Sequence, residues 1–330
     1  MPRRGTVSAA ATDAPGSDGR SGTTGTPPPS LAVVVVNWNG RDHLPECIGS
    51  LLADGYDPLR IVVVDNASDD DSVRFCRDAF PSVELVIADR NRYWAGGNNL
   101  GLRHLRATGG ADHTLLLNND TIVPQGSLAR LVEAIAREPG AWAATPRICF
   151  ADEPWRIWYD GGRVGRFSGW VGHQGIRQAA GRRALDERFV EYGTGCALLL
   201  SRRALETVPE LDEAYTFYGE DTDYCLRLRA AGGRILHVPR SLILHKVSAS
   251  VGAWSPRKAY LRSRSHVRLL GRHWRGAARA ALWPCQVAYF AGHAAWHLWQ
   301  GRPAVARAVL AGALDELAGR PAEPPVAPRV

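Results

Sequence analysis

Short apolar runs, rich in β-branched residues, alternate with stretches of helical period through the N-terminal part of the chain. The runs are Leu31–Val36, Ile61–Val64, Glu84–Ile87 and Thr114–Leu117. A strand buried on both faces has no polar side, so it reads as an unbroken apolar run; this is the mark of a parallel sheet covered by helices. Between the runs, Leu44–Leu52 and Asp71–Phe80 have helical character, and a further helix is expected to open at Gly96-Gly97-Asn98-Asn99. The β-α-β-α-β-α-β order predicts an α/β fold: a doubly wound, mostly parallel sheet flanked by helices. Ligands of such sheets sit at the carboxyl ends of the strands. Polar residues stand at or just beyond those ends: Asn37, Asp65, Asn91, and Asn118-Asn119-Asp120.

Further on, residues 147–181 are rich in Gly, Trp and Arg and lose all period, which predicts a mobile loop region over the site. Regular structure is expected again at Gly195–Leu200, Arg202–Thr207, Thr222–Ala231 (closed by Gly232-Gly233) and Arg234–Val238. Before the third of these lies a second acidic motif, Gly219-Glu220-Asp221, with His245 downstream. A carboxylate at a strand end, a second carboxylate and a later histidine suit an enzyme that holds a divalent metal on a diphosphate and deprotonates a hydroxyl.

The formal net charge of +7 is unevenly spread, because residues 255–330 carry 12 Lys and Arg against 3 Asp and Glu. A basic tail on a near-neutral body points to an anionic surface. No nucleic-acid module is recognisable, so nucleic acid is not expected as a partner. Arg257–Arg279 interleaves arginines with Tyr260, Leu261, Leu269, Leu270 and Trp274. Ala280–Trp299 has no Lys, Arg, Asp or Glu, but Pro284, Gln286, His293 and His297 make it a poor membrane span. Its aromatics beside arginines predict a helical segment lying in the interface of an anionic membrane, with an ordinary soluble helical subdomain as the alternative. Residues 1–30 read as a disordered leader with no secretory signal. The six scattered cysteines form no C-x-x-C pair and suit a reducing cytosol. The expected organisation is a leader (1–30), a catalytic domain (31–254, divided into a nucleotide-binding half 31–146 and an acceptor half 147–254), and a basic tail (255–330).

Seven segments, read in order, resemble glycosyltransferase family 2 and its GT-A fold, most closely the bacterial rhamnosyltransferase-like branch. They are VVVVNWNG (33–40), IVVVDNASDDDS (61–72), NRYWAGGNNLG (91–101), LLLNNDT (115–121), GTGCALLLSRRAL (193–205), YGEDTDYCLRLRAAG (218–232) and HKVSAS (245–250). The resemblance implies an inverting, metal-dependent transferase using a nucleotide sugar. Asp65 would accept the N3–H of a uracil or thymine ring, or else close an Asx-turn; Asn37 would sit beside the same nucleotide. Asn91, Gly96, Gly97 and Asn99 would place a helix N-terminus near the diphosphate, although no G-x-G-x-x-G is present. Asn118-x-Asp120 occupies the D-x-D position, so Asp120 would hold Mg²⁺ or Mn²⁺, with His245 as a further ligand. Asn in place of the first Asp removes one negative charge and leaves Asn118 to ribose or a metal-bound water. Asp221 would be the catalytic base and Glu220 its neighbour on the acceptor, or both would simply complement a helix dipole.

The branch implies dTDP-L-rhamnose as donor, with a UDP-hexose or galactofuranose donor as the alternative. The acceptor would be a polyprenyl-diphosphate-linked saccharide or another cell-envelope glycan at the cytoplasmic face of the plasma membrane, where the protein would be peripheral. A non-catalytic nucleotide-binding scaffold is the reading from another class. Trp158, Asp160, Gly161 and Gly162 would line the sugar pocket or serve the core, and Arg262 and Arg264 would meet a lipid diphosphate or form a solvated basic face.

Overall fold

The computed structural model describes residues 27–216, 218–247 and 255–321. Nearly all of the expected leader, and residues 248–250 of the last motif, lie outside the described residues. The first half runs β1 (Leu31–Asn37), α1 (Leu44–Ala53), β2 (Leu59–Asp65), α2 (Ser72–Ala79), β3 (Glu84–Ile87), α3 (Tyr93–Ala107), β4 (His113–Asn118), β5 (Thr121–Ile122) and α4 (Ser127–Arg137). The second half continues with β6 (Ala141–Phe150), β7 (Ile157–Tyr159), β8 (Gly162–Val164), β9 (Val171–His173), β10 (Arg188–Val190), β11 (Ala197–Ser201), α5 (Arg202–Thr207), α6 (Glu220–Ala230) and β12 (Arg234–His245). The tail forms α7 (Pro256–His273), α8 (Gly276–Trp299) and α9 (Pro303–Leu317).

The main sheet has the order β10-β12-β6-β11-β4-β1-β2-β3. Strands β4, β1, β2 and β3 are mutually parallel, β6 and β12 are parallel to each other, and β11 is antiparallel to both β4 and β6. The unbroken apolar runs have the expected cause. Along β1, Leu31, Val33 and Val35 pack in one core with Leu44, Ile48 and Leu51 of α1 and Leu128 and Leu131 of α4. Ala32 and Val34 pack in the other core, with Leu102 and Leu105 of α3. Alternate side chains thus enter opposite helical layers, so both faces must be apolar.

Helix α3 starts at Tyr93, ahead of the glycines expected to open it. Gly97 and Gly101 instead face β1: a Cβ at Gly97 would lie 2.6 Å from Val36 Cγ1, and one at Gly101 would lie 2.4 Å from Val34 Cγ1. Their absent side chains let the helix lie close on the strand.

The stretch expected to be a mobile loop is braced. It holds the end of β6 and all of β7, β8 and β9, and its centre is Asp160, 0% exposed. That carboxylate takes Arg147 Nε at 2.8 Å, Arg183 Nε at 2.9 Å, Arg188 Nη2 at 3.1 Å and His237 Nε2 at 3.0 Å. Burial alone would raise its pKa; His237, Arg147 and Arg183 overturn that and hold it well below the usual carboxylate range. Asp160 is therefore a core hub rather than a sugar contact. Strand β12 also exceeds its expected end. It runs past Pro239 to His245, with its register against β6 shifting between Val238 and Leu242. Such an irregularity is where a sheet tolerates a residue without an N–H.

The tail is an integral layer. Helix α7 packs on α9, where Gly312 lets the backbones meet: a Cβ there would lie 2.2 Å from Tyr260 O. Arg264 and Arg268 both pair with Glu316, at 2.9 and 2.7 Å. Arg264 is 5% exposed, which removes it from any lipid contact. Among the described residues no helix is long and apolar enough to cross a membrane.

Candidate active site

Register brings the strand-end residues together. Asn37 pairs with Asp65 across β1 and β2, and Val36 pairs with Asn118 across β1 and β4. Asn37 Nδ2 donates to Asp65 Oδ1 at 3.3 Å, while Asn119 Nδ2 donates to Asn37 Oδ1 at 2.8 Å. Asp65 Oδ2 accepts the Ser68 N–H at 3.0 Å, so the turn-closing role weighed for it is present. Two carboxylate oxygens offer about four acceptor sites, which leaves capacity for a further donor such as an imide N–H. Asn91 Oδ1 accepts the Tyr93 N–H at 2.8 Å and thereby shapes the entry to α3.

Two of the expected ligand contacts have structural duties instead. Asn99 is 0% exposed, and its amide exchanges hydrogen bonds with Leu211 in both directions, at 3.0 and 2.9 Å. Gly96 is buried in the first turns of α3, where a Cβ would lie 2.7 Å from Arg92 Cβ. These residues, like Gly97, seat α3 against its neighbours; none offers a free backbone amide at an opening helix, because the helix opens earlier.

The short strand β5 pairs antiparallel with β12, setting Thr121 opposite His245. Asp120 is thereby fixed beside the end of β12, and the Lys246 N–H donates to its carbonyl at 2.9 Å. Asp120 Oδ1 and His245 Nε2 are 3.1 Å apart and both side chains are buried. Burial disfavours a charged imidazole, but the Cys196 thiol and the Asp120 carboxylate outweigh it and push His245 up to about 10. An oxygen and a nitrogen donor this close together form a set that suits a divalent cation, which would replace the proton between them. Among the described residues no group of three or more His, Cys, Asp or Glu forms a metal cage. Two protein donors leave remaining coordination positions to ligand oxygens and water.

The second acidic motif opens α6. Asp221 Oδ2 accepts the Gly195 N–H at 2.8 Å and Oδ1 accepts the Thr222 N–H at 2.6 Å. Burial raises its pKa against these two donors. Glu220 is less well supported: its Oε2 is buried without a hydrogen-bond partner among the described residues. Burial, reinforced by the Asp221 charge, pushes Glu220 up to about 8.

One dipeptide ties the two motifs together. Gly195 holds Asp221, while the next residue, Cys196, lies against His245 and within electrostatic reach of both Asp120 and Asp221. Trp94 closes the gap: its Nε1 donates to Asn118 Oδ1 at 3.0 Å, and its ring occupies the space of a Cβ on Gly195, 2.7 Å away. Trp158 packs edge-on against His245, with ring centroids 4.6 Å apart. Sequence reasoning named Trp94, Asn119 and Gly195-Cys196 only as members of the motifs and gave none of them a role. The signal for Trp94 was a large aromatic inside the Gly- and Asn-rich segment 91–101.

Backbone strain marks the same place. Asn39, Ala67, Tyr93, Tyr218 and Val247 all have positive φ, between 48° and 67°. They follow β1, β2 and β12 or precede α6 and open α3, so they ring the strand ends. Such conformations cost about 1–3 kcal/mol each for non-glycine residues and persist where a site requires them.

Over 245 residues the chain is 28% identical to an N-acetylglucosaminyl-diphospho-decaprenol L-rhamnosyltransferase of Mycobacterium tuberculosis, covering 67% of this chain and 78% of the relative. It is 22% identical over 203 residues to the low-salt glycan biosynthesis hexosyltransferase Agl10 of Haloferax volcanii, covering 60% and 61% of the two chains. Among solved structures, the mannosyltransferase PcManGT of Pyrobaculum calidifontis, in complex with GDP-Man and Mn²⁺, superposes with a TM-score of 0.55 at 18% identity over 88% of this chain and 87% of its own. GalNAc-T7 with UDP, GalNAc and Mn²⁺ gives 0.56 at 13% identity, over 84% and 58%. Residues 27–268 match the family described as glycosyltransferase like family 2, and the chain belongs to that family of transferases.

Proposed function

We propose that the protein transfers a sugar, with inversion, from a dTDP- or UDP-sugar to a hydroxyl of a polyprenyl-diphosphate-linked or other cell-envelope saccharide. dTDP-L-rhamnose is the first donor to test, since the Mycobacterium tuberculosis relative is an L-rhamnosyltransferase acting on a diphospho-decaprenol. The observation that carries this reading is the Gly195-Cys196 link, in which Gly195 bonds the Asp221 carboxylate and Cys196 lies against the Asp120–His245 pair.

In a single displacement Asp221 takes the proton of the acceptor hydroxyl as its oxygen attacks the anomeric carbon, and the bond to the nucleoside diphosphate breaks on the far side. Gly195 and Thr222 fix the carboxylate for that step. Asp65 and Asn37 would receive the base, and Asn118 the ribose. Asp120 and His245 would hold Mg²⁺ or Mn²⁺; the bound cation neutralises charge on the leaving diphosphate. Both structural neighbours were solved with Mn²⁺, which supports a divalent metal.

The tail would lie on an anionic membrane face, making the protein peripheral at the cytoplasmic side. Trp283, Val287, Trp296, Leu298 and Trp299 are exposed on α8, and Leu314 on α9. Apolar side chains beside arginines suit an interface.

A thermal-shift series with dTDP, UDP, GDP and ADP, each with and without Mn²⁺, tests the assignment. Metal-dependent stabilisation by dTDP or UDP alone is expected. A response to ADP or GDP only, or none to any nucleotide, would remove it.

A further inference from the structure

The tail carries a strip of side chains that leaves the catalytic pocket and ends on the exposed face of α8. It begins at Tyr218, the residue before Gly219-Glu220-Asp221. The Lys258 and Arg262 cations lie over the Tyr218 ring, each 5.7 Å from its centroid. Arg262 also acts electrostatically on Tyr192 and His173. Asp221 acts on Tyr192 as well, and the Tyr218 ring under Arg262 immediately precedes Gly219-Glu220-Asp221, so Arg262 stands on the Asp221 side of α7. Arg257 joins this cationic rim within electrostatic reach of Tyr93 at the start of α3.

One turn along α7 from Arg262, His266 faces α8. Its ring centroid is 5.2 Å from that of Tyr289. Tyr289 is 5.8 Å from His293, which stacks on Trp296 at 6.5 Å. Tyr289 and Trp296 are each 39% exposed. The order along the strip is therefore acid pocket, cationic rim, aromatic track.

We infer that this strip binds a prenyl diphosphate: Arg262, Lys258 and Arg257 take the diphosphate, and the Tyr289–His293–Trp296 face takes the first isoprene units. The inference rests on the proposed acceptor class and assigns it a place. An amphiphile with a polar head, a doubly anionic link and an apolar chain matches the strip in both order and charge. Arginine and lysine supply charge-assisted donors to phosphate oxygens, while aromatic faces cover apolar chain without burying charge. The side chains of α7 are not alike in this respect. Arg264 and Arg268 are bound to Glu316, and Arg272 to Asp212 and Asp223. Arg262, in contrast, is exposed and turned to the pocket rim.

A diphosphate has two sources at this site, the donor nucleotide and the lipid acceptor, and the test separates them. Calorimetric titration of the full chain would use farnesyl diphosphate, geranylgeranyl diphosphate, farnesol and inorganic pyrophosphate, with dTDP plus Mn²⁺ as a separate arm. Expected are binding of both prenyl diphosphates, tighter for the longer chain, and weak or no binding of farnesol. Arg262→Ala should weaken farnesyl diphosphate about tenfold, the size of one lost charged contact. Tyr289→Ser should abolish the advantage of the longer chain, and neither variant should change dTDP binding. Equal farnesyl diphosphate binding by wild type and Arg262→Ala would overturn the inference. Loss of dTDP binding in Arg262→Ala would also overturn it, by giving the rim to the donor. Arg262-dependent prenyl diphosphate binding without any nucleotide response would keep this site and remove the proposed transferase chemistry, so the two readings fail separately.

Discussion

Glu220 and Asp221 are neighbours in sequence with opposite surroundings. Asp221 accepts backbone N–H groups from Gly195 and Thr222, whereas Glu220 Oε2 has no partner among the described residues. A charged Glu220 is thus a cost of the fold. Its pKa is raised from 4.5 to about 8, so the native state holds the proton more tightly than the unfolded chain. The stabilising contribution is present at low pH and is lost as pH climbs through that window. Glu220→Gln is accordingly expected to raise Tm by several degrees at pH 8 and above, with no gain below pH 4.5; calorimetry at the two pH values checks this. For Asp221→Asn, nucleotide-induced stabilisation should persist while transfer falls by about 10²–10⁴, the usual worth of a general base; retained turnover would remove Asp221 from that role. For Asp120→Ala, the Mn²⁺-dependent part of the nucleotide thermal shift should disappear, and an unchanged shift would exclude Asp120 as a ligand.

At the scale of elements, the region between β6 and β10 is held by the Asp160 hub. Removing a buried ionic partner leaves uncompensated charge, a loss of about 3–5 kcal/mol. Asp160→Ala, which strands the 4% exposed Arg147, is expected to lose stability of that order in urea denaturation. Arg156 pairs with Glu153 at the surface, where Glu153→Ala should cost under about 1 kcal/mol. Comparable losses for the two would mean that the hub is not what fixes this segment. Helix α3 offers a packing counterpart: Gly97→Ala forces a methyl onto Val36, and overpacking of this kind costs about 1–3 kcal/mol.

At the scale of the molecule, the tail is bolted to helix α6. Asp223, 0% exposed and two residues after Asp221, receives His273 Nε2 of α7 at 2.8 Å and Arg227 Nε at 2.8 Å. Arg272 of α7 reaches it at 3.3 Å and also pairs with Asp212. Deleting residues 255–330 would therefore remove His273 and Arg272 from a buried carboxylate, leaving it Arg227, as well as any membrane contact, and is expected to lower Tm. Membrane association is better tested by Trp283→Ser with Trp299→Ser, two exposed positions on α8. The double variant should keep the wild-type Tm and lose sedimentation with anionic vesicles; unchanged sedimentation would refute docking through this face.

The sequence by itself determined the sheet's parallel half and the positions of its strand ends. A strand covered on both faces must be apolar throughout, and the polar residues that stop it mark its carboxyl end; Val33–Val36 followed by Asn37 and Ile61–Val64 followed by Asp65 show both. The motifs carrying Asp120, Asp221 and His245 were equally legible, because each stands at an element boundary. Tertiary structure alone decided how those residues meet. The pairing of β5 with β12 that sets Asp120 beside His245 spans the chain from Thr121 to His245 and leaves no local periodicity. Nor does period disclose that Gly97 serves packing, that Asn99 is spent bracing Leu211, or that Asp160 is a buried hub, since glycine, amide and carboxylate look alike in a turn and in a core. Side-chain pattern along one element is fixed by which faces are buried; contacts between distant elements are fixed by strand register and helix docking, which the chain encodes only in its entirety.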